Sequence, residues 1–194
     1  MKKARVLIDT YQLRIAKTGI RKYVEELVAL ILSNHSKEFE YYFFPELGSS
    51  ELEIEESNSK WNRLREQWKY FYFKQFSLPK EVKRLNADVL LLPDYYAPMT
   101  ALDVQKIIVF HDAFFWQNPE RYGKMWWFYF QRMIKAGLRG RSSILTISNH
   151  SKDQLKSVLP STSAIDVLHN AQRTPIEPDK DIVSSLDLKK RNYF

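Results

Sequence analysis

The sequence predicts an α/β fold, a parallel β-sheet with helices on both faces, and three observations carry that expectation. Strand-like and helix-like segments alternate along the chain, as a parallel sheet with helical crossovers requires. Most strand-like segments are continuous apolar runs rather than alternating ones, the mark of strands covered on both faces. The runs stop on polar residues: Asp9, Asp94, His111-Asp112, Ser148-Asn149 and His169-Asn170. Ligands of open parallel sheets gather at the carboxyl ends of the strands, so these residues are expected along one edge.

In chain order, residues 5–9 (RVLID) are the first strand, and residues 10–17 a mostly polar loop. From Gly19 the apolar residues Ile20, Tyr23, Val24, Leu27, Val28 and Ile31 recur at helical steps. Residues 39–45 read as a second strand, and the acidic, serine-bearing stretch 46–59 as a surface loop. Residues 61–76 form an aromatic and basic helix, and Pro79 suits the first turn of a shorter helix ending near Asn86. The second half is more regular. Strand 88–92 (DVLLL) runs into Pro93 to Pro98, and strand 106–110 (KIIVF) into His111-Asp112. A helix over 122–138 is closed by Gly140, strand 143–147 leads to a helix beginning at Ser148, and 164–168 is the last strand.

At 194 residues the chain has room for one sizeable domain. Lys and Arg number 30 against 23 Asp and Glu, a net charge of +7 that favours an anionic partner: a phosphorylated ligand, nucleic acid or an anionic membrane surface. The absence of cysteine excludes disulfides, thiolate catalysis and Cys-based zinc sites. No apolar run approaches the ~20 residues of a membrane span. The opening Val6-Leu7-Ile8 is too short for a signal peptide, so a cytoplasmic protein is expected.

Five segments together resemble the N-terminal domain of family 4 glycosyltransferases. Residues 18–23 (TGIRKY) resemble the family's glycine loop opening its first helix, and residues 88–98 (DVLLLPDYYAP) its "aDvlhsp" strand and loop. Residues 109–112 (VFHD) resemble "tiHD", 144–151 (ILTISNHS) resemble "tvSeyS", and 167–171 (VLHNA) resemble "vipnG", with Ala171 where the family usually has glycine. The resemblance implies a GT-B fold whose N-terminal half is a Rossmann-like parallel sheet. It also implies a retaining enzyme that moves a sugar from a nucleotide-sugar donor, a co-substrate rather than a tightly held cofactor, to a glycan or lipid-linked acceptor. On this reading residues 1–173 are the acceptor-side domain. Residues 174–194 are then a linker and the beginning of a C-terminal donor-binding domain.

The same likeness points to site residues. Gly19, with Thr18 before it, opens a helix whose free N–H groups and dipole favour a donor diphosphate; the plainer role for Gly19 is the turn itself. His111 is the candidate catalytic residue, since a histidine at a strand end can bond a sugar hydroxyl or diphosphate oxygen and move a proton. Asp112 either orients that imidazole or fixes the following turn. Asp112, Tyr95, Tyr96, Ser148, Asn149 and Asn170 are expected to line the acceptor cleft, with Ser148 first of all a helix cap. No metal site is expected: the one Asp-x-Asp match, Asp179 to Asp181, falls in the linker.

Two aromatic stretches complete the picture. In residues 61–76, Trp61, Leu64, Trp68, Phe71 and Phe76 lie near helical spacing with Arg63, Arg65, Lys69 and Lys74 interleaved. Such a helix suits either an anionic membrane interface, as a peripheral contact at the inner face of the cell membrane, or the sheet, with its aromatics in the core. Residues 126–130 (WWFYF) put aromatics on all sides of a helix, which predicts burial on all sides, with stacking of some of them on acceptor sugars as the alternative. No recognised motif supports a nucleic-acid partner. The alternative to a transferase is a stand-alone α/β domain that binds an anion or a partner chain without catalysis.

Overall fold

The computed structural model describes residues 2–16, 19–48, 59–100, 102–159 and 164–170. Six strands form one all-parallel sheet: β1 (Ala4–Asp9), β2 (Phe39–Phe44), β3 (Val89–Leu92), β4 (Gln105–Phe110), β5 (Ser142–Thr146) and β6 (Ile165–Val167). Their spatial order is β2-β1-β3-β4-β5-β6. Each strand matches its sequence expectation to within a residue at either end. The helices are α1 (Gln12–Ile15), α2 (Gly19–Ser33), α3 (Lys60–Tyr72), α4 (Leu78–Leu85), α5 (Phe114–Gln117), α6 (Lys124–Gly137) and α7 (Asn149–Val158).

The strands are buried in unbroken runs, Val6 to Asp9 on β1 and Ile108 to Phe110 on β4. Because successive side chains point to opposite faces, such runs need cover on both. On one face Leu7, Leu90, Ile108, Phe110 and Ile144 pack in a single cluster with Leu78 and Val82 of α4, Phe130 and Ile134 of α6, and Leu155 of α7. Val6, Ile8 and Val109 point the other way. Val24 and Val28 of α2 are buried outside that cluster, as a helix over the opposite face would be.

Three expectations are corrected. Residues 10–17, read as a loop, contain the single turn α1: Tyr11 packs on Tyr70 and Phe73, and these tertiary contacts fix a turn too short to show a period. Residues 61–76 do not end at Phe76. A π-helical turn, Phe73–Ser77, joins α3 to α4 without a break, and Asn86 in the left-handed region closes the rod. The third concerns α6, whose aromatics are not buried on all sides. Met125 is 88% and Phe128 60% exposed, and Trp126 and Tyr129 are also exposed; only Phe130, Met133, Ile134 and Gly137 are buried. Gly137 allows α6 to lie against the loop after β3, where a β-carbon would come within 3.0 Å of Ala97 Cβ and 3.2 Å of its carbonyl oxygen.

Candidate functional site

The strand order reverses at β1, which has β2 on one side and β3 on the other. Open α/β sheets bind ligands at such a switch point, outside the carboxyl ends of the strands. Asp9 ends β1, Asp94 lies just beyond β3, and between them lies Lys74 from the π-helical turn; all three are buried. The Lys74 ammonium donates to Asp9 Oδ2 and, at 2.8 Å, to Asp94 Oδ1. The Tyr11 backbone N–H donates to Asp9 Oδ1 at 2.9 Å and the Tyr96 N–H to Asp94 Oδ1 at 3.0 Å. Asp94 Oδ2 accepts from the Tyr70 hydroxyl at 2.6 Å and from Gln12 Nε2, which also reaches the Tyr70 oxygen at 3.1 Å.

Burial alone disfavours all three charges, and the shifts show where it loses. Burial pushes Lys74 down, but the two carboxylates outweigh it and hold its pKa above the ordinary lysine value. Burial pushes Asp94 up, yet Lys74 and the hydrogen bonds from Lys74, Tyr70 and Gln12 bring it below the usual carboxylate value. Asp9 has fewer partners, and desolvation, reinforced by the Asp94 charge, leaves it raised. Every lone-pair direction of Asp94 is engaged. The cluster is therefore a rigid floor rather than a pair of available acids.

That floor underlies a cleft of about 640 Å³ between α3 and α6. Gln12, Tyr70, Asp94, Tyr95 and Tyr96 form its base. Tyr95 meets the Phe130 ring edge-on at 5.3 Å, and Tyr96 stacks on Tyr70 at 5.1 Å. Desolvation pushes both phenols far above the ordinary tyrosine pKa, so they stay neutral. Leu64, Trp68 and Phe71 of α3 form one wall, Trp126, Tyr129 and Met133 of α6 the other.

The remaining sequence candidates lie beside this cleft or apart from it. His111 comes directly after β4; its Nε2 donates to the Pro93 carbonyl at 2.9 Å, since a carbonyl can only accept, and Tyr23 of α2 meets its ring edge-on at 5.0 Å. That bond leaves Nδ1 as the remaining ring nitrogen. Asp112 does not turn to the imidazole: its Oδ1 accepts from the Phe114 N–H at 2.9 Å and starts α5. Ser148 caps α7, accepting from the Ser151 N–H at 3.1 Å, and the Ser151 hydroxyl donates to the His111 carbonyl at 3.2 Å. The cap thus also fixes the end of β4. Asn149 and Asn170 are exposed and do not line the cleft. Gly19 is the first residue of α2, its φ is outside the left-handed region, and a β-carbon there would meet nothing within 4 Å. Packing therefore does not demand glycine at that position. Thr18 lies outside the described residues, as do Ala171 and residues 174–194.

Residues 19–172 match the family model for Glycosyltransferase Family 4. The chain belongs to that family. No curated protein and no solved structure matched it. For a family 4 domain, the sequence points to Tyr95, Tyr96 and the two strand-end aspartates, but not to Lys74, Gln12 or Tyr70. Its pattern puts Lys74 within the basic face of an aromatic helix; the structure corrects this, for the side chain is wholly buried. A signal does exist. Two carboxylates that end apolar strands need a buried cation between them, and Lys74 sits among aromatics in Phe73-Lys74-Gln75-Phe76. Among the described residues no group of three or more His, Asp or Glu is placed to hold a metal, and no helix is long and apolar enough to cross a membrane.

Proposed function

We propose that this chain is the acceptor-side domain of a retaining glycosyltransferase that moves a sugar from a nucleotide-sugar donor to a glycan or lipid-linked acceptor, completed by a donor-binding domain. The observation that carries this reading is the aromatic cleft at the strand-order reversal of a family 4 domain, with His111 beside it. The acceptor enters between α3 and α6 over the floor of Tyr95 and Tyr96. The donor diphosphate lies at the N-terminus of α2, where Gly19 offers open space and the helix dipole favours its charge. His111 presents Nδ1 to a sugar hydroxyl or diphosphate oxygen, its ring held by the Pro93 carbonyl and Tyr23. The reaction is placed at the cytoplasmic face of a membrane, with residues 61–76 making a peripheral contact and no nucleic acid involved.

The test is turnover of nucleotide sugars by the complete protein, with the anomeric configuration of the product followed by NMR. Transfer with retention, and a His111→Ala variant that melts near the wild type but loses about a hundredfold or more in kcat, would support the reading. An inverted product, or a His111→Ala variant with full turnover, would remove the retaining mechanism or the role of His111 respectively. A complete protein that binds anions but turns over no nucleotide sugar would instead be a binding domain.

A further inference from the structure

The amide of Gln12 stands at the base of the cleft, on a side chain buried from all but the cleft. Its partners fix which way it faces. Against the burial that would raise it, Lys74 holds Asp94 below the usual carboxylate value, and a carboxylate can only accept. The Gln12 atom facing Asp94 Oδ2 is therefore Nε2. The Tyr70 hydroxyl gives its single proton to the same Oδ2 at 2.6 Å, so its contact with Nε2 at 3.1 Å takes the second amide proton. Both donors of the amide are thereby spent, and its acceptor Oε1 remains. No described residue donates to Oε1, and it is not a sealed atom without a partner; among the described residues only Thr146 Oγ1 is one. The charges nearby point the same way. No lysine, arginine or histidine lines the cleft, and its one charged side chain is Asp94. The Lys74 ammonium lies behind, enclosed by Asp9 and Asp94 and wholly buried. The Tyr96 hydroxyl is engaged with Tyr129 of the α6 wall. A chain with a net charge of +7 thus keeps its cations out of this cleft and leaves an acceptor oxygen at its base.

We infer that Gln12 is a specificity-determining residue: its Oε1 accepts a hydrogen bond from a hydroxyl of an uncharged sugar ring held between α3 and α6, and sugars carrying a carboxylate are turned away. A sugar ring has apolar C–H faces and a polar edge, which suits aromatic walls over a buried acceptor. A carboxylate at that place would lose its water without gaining a cation, and would lie against Oε1 and Asp94. The inference rests on the transferase reading in one respect, that the ring bound is the acceptor's.

The test is to titrate the complete protein, without nucleotide sugar, with the methyl glycosides of glucose, galactose, mannose and N-acetylglucosamine. Saturation-transfer NMR and tryptophan fluorescence report binding. At least one neutral glycoside should bind, and the uronate of the same sugar should bind at least about tenfold more weakly. Replacing each hydroxyl of the bound glycoside in turn by fluorine, which cannot donate, should reveal one position where affinity falls about tenfold. In Gln12→Met, which keeps the length of the side chain but has no amide, the parent glycoside should bind about tenfold more weakly and that same fluorine should cost nothing further. A Gln12 that only braces the fold would leave the fluorine as costly in the variant as in wild type. That result overturns the inference, as does a uronate bound as tightly as its neutral sugar, or no neutral glycoside bound at all. The two wild-type comparisons decide the matter by themselves where Gln12→Met does not fold. Turnover of a nucleotide sugar without these effects leaves the transferase reading standing and the inference lost; the effects without turnover do the reverse.

Discussion

Two lysines among the described residues are wholly buried, one at each edge of the same sheet, and they have opposite fates. Lys74 lies at the carboxyl edge between Asp9 and Asp94, and its pKa is raised. Lys106 lies near the amino end of β4 and donates to the carbonyls of Gly137 and, at 2.8 Å, Arg139, where α6 ends. Desolvation brings its pKa down to about 8. Burial is the same; the partners differ. Full negative charges repay the desolvation of an ammonium, whereas the partial charges of a helix terminus repay only part of it. The carboxyl edge has thus been organised around charge, at the strand ends where open α/β sheets bind their ligands. At the amino edge a lysine serves to finish a helix.

The sharpest way to break this comparison is Lys74→Met. It leaves two carboxylates buried without their cation and should cost about 3–5 kcal/mol in urea unfolding. Lys69→Met, five residues earlier on the exposed side of α3, should stay within about 0.5 kcal/mol. A Lys74→Met protein as stable as the Lys69 variant would mean that the cluster is not an ionic one. Adding Asp9→Asn and Asp94→Asn to Lys74→Met should recover much of the loss, because the uncompensated charge then disappears with its cause.

The second prediction concerns pH. Below about pH 8 Lys106 is protonated folded or unfolded, and its burial penalty is fully present. Between about 8 and the ordinary value of 10.5 the folded state has released the proton while the unfolded chain keeps it. The unfolded state then binds more protons, so this group makes stability rise with pH, by at most about 1.4 kcal/mol per pH unit. Lys74 runs the other way: with a raised pKa, its contribution is complete below 10.5 and is lost only as pH climbs through the folded value. Unfolding curves of wild type and Lys106→Met across the alkaline range should differ in slope. Parallel curves would show that Lys106 keeps its proton and that its carbonyl partners suffice.

The same two lysines mark what the sequence can and cannot tell. Strand runs such as KIIVF are legible because a strand buried on both faces needs consecutive apolar residues, and that need is local. The cap at Ser148 and the helix opened by Pro79 are legible for the same reason. Lys74 is not, since its direction is set by the π-helical turn, which adds a residue to one turn and rotates the facing of every later side chain on the rod. The aromatics of α6 mislead because composition alone suggests burial, while Met125 and Phe128 face outward with nothing of the described chain above them. Of the site, the polar strand ends are visible in the sequence. The cleft is not, because α3 and α6 meet only in space.

A smaller effect separates the charged floor from the neutral contacts near it. Ser148→Ala removes the cap of α7 and one anchor of the Ser151 hydroxyl that bonds the His111 carbonyl. It should cost about 1 kcal/mol in thermal or urea unfolding, well below Lys74→Met. A loss as large as that of Lys74→Met would mean that the serines, not the ions, hold the carboxyl edge together.

Gly19→Ala should have the smallest effect on stability and the opposite sign. No left-handed φ requires glycine, and a β-carbon there meets nothing within 4 Å, so alanine loses nothing in the folded state. It removes backbone freedom from the unfolded chain, which should add up to about 1 kcal/mol of stability. Function should move the other way: if a donor diphosphate packs against the first turn of α2, the added methyl occupies its place. The donor KM of the complete protein should then rise about tenfold while acceptor KM is unchanged. A Gly19→Ala enzyme that is more stable and equally avid for its donor would place the diphosphate elsewhere.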